Sequence, residues 1–167
     1  MPKKTIYLID AYNLIYRLFF AVPPFTTKAG QPVNAVFGMA KSILGFHEFD
    51  QPDYLYFILD APGKTFREDL YSDYKGTRDR MPDDLRLQEK KIFELLESMN
   101  IPLIKQEGFE ADDIIGTLAK QFSNDLNSHV YIVSGDKDLY QCIGPNVSVY
   151  DTMKRKKAGR EEAIEKF

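Results

Sequence analysis

Three segments of the chain are apolar at almost every position and rich in β-branched and aromatic residues: TIYLID, YLYFILD and VYIVSGD. None of them alternates between polar and apolar positions, as a strand with one exposed face would. Continuous runs of this kind are typical of strands that are buried on both faces of a parallel sheet. The shorter runs IPLIKQ and VSVYD are two further strand candidates.

Between these runs, apolar residues recur at helical spacing. The helical patterns are AYNLIYRLFF, NAVFGMAKSILGF, GFEADDIIGTLAK, REEAIEKF and residues 83–100, which follow Pro82. The proline and the two acids in the first turn of the 83–100 segment are helix-start signals. Strands that alternate with helices predict an α/β fold with a mainly parallel sheet flanked by helices.

Aspartates stand at or just past the carboxyl end of each of the three buried runs, at Asp10, Asp60 and Asp136. One aspartate in such a place is ordinarily a helix cap or a loop residue. The carboxyl ends of parallel strands lie at one edge of a sheet, where ligands bind in open α/β folds. Three such aspartates together therefore predict a site at this edge.

The helical segment GFEADDIIGTLAK opens with three more acids, Glu110, Asp112 and Asp113. Acids in a first turn favour the helix dipole and can cap free N–H groups, which accounts for one or two of them. The loop SGDKDLYQ adds Asp138, two residues after Asp136. The full set of candidate ligands is Asp10, Asp60, Glu110, Asp112, Asp113, Asp136 and Asp138.

Seven carboxylates at one sheet edge would repel one another strongly unless cations neutralised them. Ligands that are all hard oxygens, without histidine or cysteine, favour Mg²⁺ or Mn²⁺ over zinc. Two such ions about 4 Å apart can activate water and stabilise the leaving oxygen of a phosphodiester. The acids therefore predict a metal centre, with two ions, that hydrolyses phosphodiesters.

Composition and charge fit a polyanionic partner once these acids are considered separately. The chain has 167 residues, about one domain, and a formal net charge of −3. Without the seven candidate ligands, 18 of the 25 acids remain against 22 lysines and arginines, so the rest of the protein carries +4. A mildly basic surface is what a phosphate-backbone binder requires. The single cysteine, Cys142, and the lack of a membrane-length apolar run or a good signal peptide predict a cytoplasmic protein.

The segment PGKTFREDLYSDYKGTRDRMP, residues 62–82, has weak periodicity and interleaves basic residues with tyrosines. We interpret it as a partly ordered excursion over the sheet edge, with a solvated basic loop as the alternative. Tyrosines can stack on unpaired bases, and arginine and lysine can bind phosphates. The candidates for such contacts are Lys64, Arg67, Tyr71, Tyr74, Lys75, Arg78 and Arg80.

Other hydrolytic chemistries have less support. The two histidines, His47 and His129, stand in no recognisable triad with Cys142 or a serine, and the chain has no glycine-rich phosphate loop. A Mg²⁺-dependent phosphatase on a similar sheet is a weaker alternative. The first strand leads into DAYN, without the second aspartate two residues on that such a phosphatase would have.

Five motifs occur in one order and cover nearly the whole chain: LIDAYNLIYR, LDAPGKTFREDLYSDYKGTR, MPDDLR, GFEADDIIGTLA and SGDKDLYQ. In them the chain resembles the 5′-nuclease domain of bacterial DNA polymerase I, a branch of the flap-endonuclease and PIN-like group. The resemblance implies a three-layer PIN-like fold in which residues 62–82 form a helical arch that a single-stranded 5′ end passes through. It also implies a 5′→3′ exonuclease or flap endonuclease that removes primers or flaps during DNA replication and repair. We expect its partner to be DNA with a 5′ single-stranded end or flap, and the protein to be a monomer.

The resemblance also implies roles for individual residues. The seven carboxylates named above match family residues that hold divalent ions directly or through water. Arg67 and Lys75 match catalytic residues near the scissile phosphate. The residues that match DNA-contacting positions are Arg17, Arg67, Tyr74, Lys75 and Arg78. Asp151 also follows a strand candidate but matches no family ligand.

The family domain continues past the position of Phe167 with two more metal-binding aspartates and a helix–turn–helix-like motif that grips duplex DNA. Residues 1–167 are therefore expected to form the N-terminal PIN-like part of that domain, without its C-terminal part. This leaves a second hypothesis: a catalytically weak or inactive fragment that binds metal and single-stranded DNA without cutting.

Overall fold

A six-stranded sheet lies at the centre of the computed structural model, which describes residues 3–63 and 80–166. Its strands are β1 (Lys4–Asp10), β2 (Tyr54–Ile58), β3 (Leu103–Ile104), β4 (Ser128–Val133), β5 (Val147–Asp151) and β6 (Lys156–Ala158). They lie in the order β3-β2-β1-β4-β5-β6. Neighbouring strands are parallel except β5 and β6, which pair antiparallel. The prediction of a mainly parallel sheet is confirmed.

The helices of the described residues are α1 (Ala11–Ala21), α2 (Asn34–Gly45), α3 (Asp83–Ser98), α4 (Ala111–Ser123) and α5 (Arg160–Lys166). A π-helical turn, Phe46–Asp50, extends α2, and a short 3-10 helix, Asp138–Cys142, follows β4. Helix α3 ends before Asn100 because that residue adopts a left-handed φ of 54°. Within these described segments, no helix has the length and apolar character needed to cross a membrane.

Alternate residues of β1 face opposite cores, which explains why TIYLID is apolar throughout. Tyr7 and Ile9 pack in a core formed with α1, α2 and α3. Ile6 and Leu8 pack in a second core with Ile115 of α4. The sheet is therefore the middle layer of three, with helices on both faces, as the sequence predicts.

Strand β1 is the point at which the strand order reverses. Its neighbours β2 and β4 lie on opposite sides of it, and the chain reaches them through helices on opposite faces of the sheet. In open α/β sheets a crevice forms outside the carboxyl ends of the strands at such a switch point. Asp10 ends β1, and Asp136 comes three residues after the end of β4, so both acids stand at this crevice.

Two edge strands differ from the sequence expectation. IPLIKQ forms only the two-residue strand β3, because Pro102 has no N–H to donate to a neighbouring strand. The short strand β6 has no strand pattern in the sequence, because it begins inside the basic run KRKK, residues 154–157, and takes Lys156 and Lys157 from it. The Lys157 ammonium lies 4.4 Å from the ring centre of Tyr131 and 4.9 Å from that of Tyr150, which holds this strand on the sheet.

Residues 64–79, most of the predicted arch, lie outside the described residues. The arch and the DNA contacts assigned to Arg67, Tyr74, Lys75 and Arg78 therefore stay predictions. The described residues end at Gly63 before this segment and resume at Arg80, three residues before the start of α3.

Candidate active site

A cleft of about 380 Å³ opens at the carboxyl edge of the sheet, where the crevice is expected. It gathers acids from the ends of β1, β2 and β4 and from the start of α4. The described residues that line it are Asp10, Tyr12, Asn13, Tyr16, Arg17, Asp60, Glu110, Ala111, Asp112 and Asp136. Five of these are carboxylates, and Arg17 is the only cation among them. The cleft thus contains five of the seven predicted ligands.

Asp10 is one of the two buried carboxylates of the cleft, and it accepts hydrogen bonds from α1 and from the loop after β4. It caps α1 by accepting the Asn13 N–H at Oδ1 (3.2 Å), and Ser134 Oγ donates to its Oδ2 (3.0 Å). The side chain is only 8% exposed. Burial raises the pKa of Asp10, the charges of Asp60 and Asp136 raise it further, and the two hydrogen bonds partly offset the rise. The negative charges of two other cleft acids therefore act on Asp10.

Asp60 and Asp136 are each fixed by a backbone contact. Asp60 follows β2, and its Oδ1 accepts the N–H of Ala111, the first residue of α4, at 2.7 Å. This bond joins the end of a strand to the N-terminus of the helix that carries Glu110 and Asp112. The Asp136 N–H donates to Ser134 Oγ at 3.0 Å, so the same hydroxyl that contacts Asp10 also orients the loop after β4.

Asp113 and Asp138 do not line the cleft. Asp113 Oδ2 accepts the Glu110 N–H at 3.1 Å, which is the capping role that the sequence allowed for one or two of the acids. Asp138 is exposed, and its N–H donates to Asp136 Oδ1 at 2.9 Å at the start of the 3-10 helix. Their roles as ion ligands stay predictions.

Arg17 lies in the cleft wall and is paired with Asp151, which was not among the predicted site residues. Its Nη2 donates to Asp151 Oδ1 at 2.6 Å. Asp151 ends β5, so it stands at the same sheet edge as the cleft acids. That position after a strand was the only sequence signal for it. Tyr12 and Tyr16 of α1 also line the cleft, although neither was among the predicted site residues.

The cleft meets one of the two requirements of a divalent cation, the donor atoms, but not yet their spacing. Its donors are all oxygens, which suits Mg²⁺ or Mn²⁺. Across the described ranges, however, no three His, Cys, Asp or Glu side chains converge closely enough to form a ready ion site. The donor chemistry therefore fits the ions, and the carboxylates of this structure would have to draw together on binding them.

Cys142 shows no sign of a nucleophilic role. It is partly buried and packs with the core on the α4 side of the sheet. Burial and the charge of Asp112 raise the pKa of its thiol, which disfavours the reactive thiolate.

Residues 5–167 match a family model described as the 5′-3′ exonuclease, N-terminal resolvase-like domain. A 5′-3′ exonuclease of Aquifex aeolicus is 42% identical over 164 residues, which cover 98% of this chain and 56% of that protein. DNA polymerase I of Rhizobium leguminosarum is 42% identical over 170 residues, which cover 97% of this chain and 17% of that protein. Among solved structures, T5 5′-exonuclease with bound divalent metal ions (zinc) matches with a TM-score of 0.72 at 20% identity, over 97% of this chain and 60% of that one. The structural similarity to the T5 exonuclease confirms the predicted α/β fold.

Proposed function

The chain belongs to the 5′-3′ exonuclease N-terminal domain family, and from this premise we propose that it hydrolyses DNA phosphodiesters near a 5′ end. One observation carries the proposal: three strand ends and one helix N-terminus bring five carboxylates around a single cleft. Flaps and branched duplexes with a free 5′ strand are the proposed substrates, as in primer or flap removal. The Aquifex relative is called a 5′-3′ exonuclease, and the Rhizobium relative is a DNA polymerase.

The proposed cofactor is Mg²⁺ or Mn²⁺, with two ions in the cleft. The residues that would hold them are Asp10, Asp60, Glu110, Asp112 and Asp136. Bound divalent ions would supply an activated water and stabilise charge on the phosphate oxygens. The all-oxygen donor set supports this choice of ions, and the T5 exonuclease of similar fold was solved with divalent metal ions.

The other cleft residues would bind and orient the DNA. Arg17 is placed to contact a phosphate, because its guanidinium presents five N–H donors and lies in the cleft wall. Tyr12 presents a fixed ring: its hydroxyl donates to Glu89 Oε1 at 2.8 Å, and its ring packs edge-on against Phe93. Such a ring, with Tyr16 beside it on α1, offers an apolar wall for an unpaired base. Lys75 and Arg67 remain the predicted catalytic cations.

A flap-cleavage assay tests the proposal. With a 5′-labelled flap and Mg²⁺ or Mn²⁺, the intact protein is expected to release short 5′ fragments, and Asp112→Ala or Asp136→Ala to lower the rate about a hundredfold or more. The matched control is Asp53→Ala, since Asp53 precedes β2 at the opposite edge, where its Oδ2 accepts the Thr5 N–H. If the wild-type protein cleaves the flap and both cleft variants cleave it at the same rate, the assignment of the cleft as the active site is refuted.

The turn that follows β5 is expected to bind the phosphate backbone. Lys154 lies in this turn and Lys156 begins β6 just after it; both are exposed, and Lys154 has 76% of its side chain in solvent. The double substitution Lys154→Ala with Lys156→Ala should weaken DNA binding and lower the slope of log K against log salt by about 1 to 2. Fluorescence anisotropy on a labelled duplex over a range of salt, in EDTA, measures this slope.

The control for the basic turn is Lys4→Ala with Lys120→Ala, which removes the same charge elsewhere. Lys4 begins β1 at the opposite edge of the sheet, and Lys120 lies in the last turn of α4. We expect this control to leave the salt slope nearly unchanged. Equal slopes for the two double variants would contradict a localised contact at the β5–β6 turn.

A further inference from the structure

The Arg17 guanidinium is held at the cleft by a partly buried ion pair with Asp151 and by its packing on Gly135. The Arg17–Asp151 pair joins residues 134 positions apart at 2.6 Å, and the Asp151 side chain is only 12% exposed. Arg17 comes from α1 and Asp151 from the end of β5, so the bond joins a helix on one face of the sheet to a strand end.

The loop after β4 forms the other side of this arrangement. A Cβ atom at Gly135 would lie 2.6 Å from Arg17 Nη1 and 2.9 Å from Cζ, so the guanidinium rests on a residue with no side chain. The Gly135 N–H donates to Asn13 Oδ1 at 2.9 Å, which fixes this loop to α1. The next residue is Asp136, a cleft acid, so the same loop supports the cation and carries an acid.

Asp151 is itself anchored. Its Oδ1 accepts the N–H groups of Met153 at 3.1 Å and Lys154 at 3.2 Å, and Lys154 Nζ lies 3.8 Å from Oδ2. Burial alone would raise the pKa of Asp151, but Arg17 and the Lys154 N–H hold that pKa below its ordinary value. The carboxylate therefore stays charged and stationary.

Electrostatics explain why an anchored partner is needed here. Arg17 lies beside five carboxylates, and a mobile guanidinium would be drawn to them. It would then occupy the space where divalent cations are proposed to bind and would no longer face a phosphate. A fixed carboxylate outside the cleft lining holds the guanidinium away from those acids.

We propose that Asp151 is a positioning residue: by pairing with Arg17 over Gly135, it holds the guanidinium at the cleft rim for the DNA phosphate and out of the metal-binding acids. The inference rests on the proposed nuclease function. Asp151 touches neither substrate nor ion and acts through Arg17 alone. Removing its charge should therefore matter only when Arg17 is present.

A double-mutant cycle tests this dependence. Asp151→Asn keeps an oxygen for the Met153 and Lys154 N–H groups, so the turn is expected to fold. We expect flap cleavage to fall about a hundredfold in Arg17→Ala and about tenfold in Asp151→Asn. In the double variant, Asp151→Asn should cause no further loss. A further tenfold loss there, or an unchanged rate in the single variant, would overturn the proposal.

Two further readouts separate positioning from a general structural role. In Asp151→Asn, the Mn²⁺ concentration that gives half-maximal cleavage should rise about threefold, because the released arginine competes with the ion. That rise should disappear when Arg17 is alanine. Asp151→Glu, which keeps the charge, should recover part of the lost rate. Asp53→Asn, which removes a carboxylate charge at the opposite edge of the sheet, should leave the rate within about twofold.

The position of Arg17 can also be measured without cleavage. In ¹⁵N spectra of the metal-free protein, the wild-type Arg17 guanidinium is expected to show restricted rotation, which Asp151→Asn should abolish. Gly135→Ala should do the same from the other side of the guanidinium, since its Cβ would lie 2.6 Å from Nη1 and force the guanidinium to move. If the wild-type protein cleaves nothing at any metal concentration, the nuclease proposal fails. These spectra then decide the positioning role, and an Arg17 signal that neither variant alters would overturn it.

Discussion

Asp10→Asn is expected to lower the rate of flap cleavage about a thousandfold, because it removes a charged oxygen ligand from the enclosed end of the cleft. The same substitution should raise the free energy of unfolding of the metal-free protein by about 1 kcal/mol. Asp10 is 8% exposed and lies close enough to Asp60 and Asp136 for their charges to raise its pKa. At neutral pH, replacing this buried charge by an amide removes both the burial cost and the repulsion.

Asparagine suits the position in other respects. It is as good a helix cap as aspartate and can still accept the Asn13 N–H at the start of α1. Single-turnover cleavage and thermal unfolding in EDTA measure the two effects on the same preparation. Opposite changes in activity and stability are the signature of a functional carboxylate cluster.

The matched control is Asp125→Asn. Asp125 precedes β4 at the far edge of the sheet, where it accepts the Asn127 N–H and the Ser128 hydroxyl, both at 2.9 Å. Its replacement should leave cleavage within about twofold and should not raise stability. An Asp10→Asn variant that cleaves like the wild-type protein, or that unfolds more easily in EDTA, would contradict the account of the cleft.

The second large effect concerns stability. Ile115→Ala is expected to lower the free energy of unfolding by about 3 kcal/mol and the melting temperature by about 9 °C. Ile115 is fully buried on α4 and packs in the core formed with Ile6, Leu8 and Ile132. The alanine would leave a cavity beneath the helix whose first turn carries Asp112. Urea and thermal unfolding measure the loss.

Ile164→Ala is the control for this substitution. It removes the same atoms from a side chain of α5 that is 68% exposed, so stability should change by no more than about 0.5 kcal/mol. Equal effects at the two positions would contradict the packing of α4 against the sheet.

The fold can be predicted from the sequence because each strand that is buried on both faces is a continuous apolar run. In TIYLID, alternate residues pack in the two different cores, so every position between the threonine and the aspartate is apolar. A strand with one face in solvent would have polar residues at every second position instead. The acids Asp10, Asp60 and Asp136 could be placed at one edge for the same reason, since parallel strands share their carboxyl ends.

Other features of the site and the sheet depend on contacts that the sequence pattern does not show. The sequence groups Asp113 with the other acids, and only the structure shows that its carboxylate also accepts the Glu110 N–H as part of the helix cap. Asp151 reads as an ordinary strand-end aspartate until its partner, 134 residues away, is known. The basic run, residues 154–157, has no strand pattern, yet Lys156 and Lys157 pair with β5, and three tyrosine rings lie around the Lys157 ammonium.

The most direct test of the central claim, that the acidic cleft is a metal-dependent nuclease site, is the rate of 5′-flap cleavage by the intact protein as Mn²⁺ is titrated. We expect no cleavage in EDTA, a saturable rise in rate with added Mn²⁺ or Mg²⁺, and loss of that rise in Asp10→Asn. A rate that is the same in EDTA as in Mn²⁺, or no cleavage at any metal concentration, would contradict the claim.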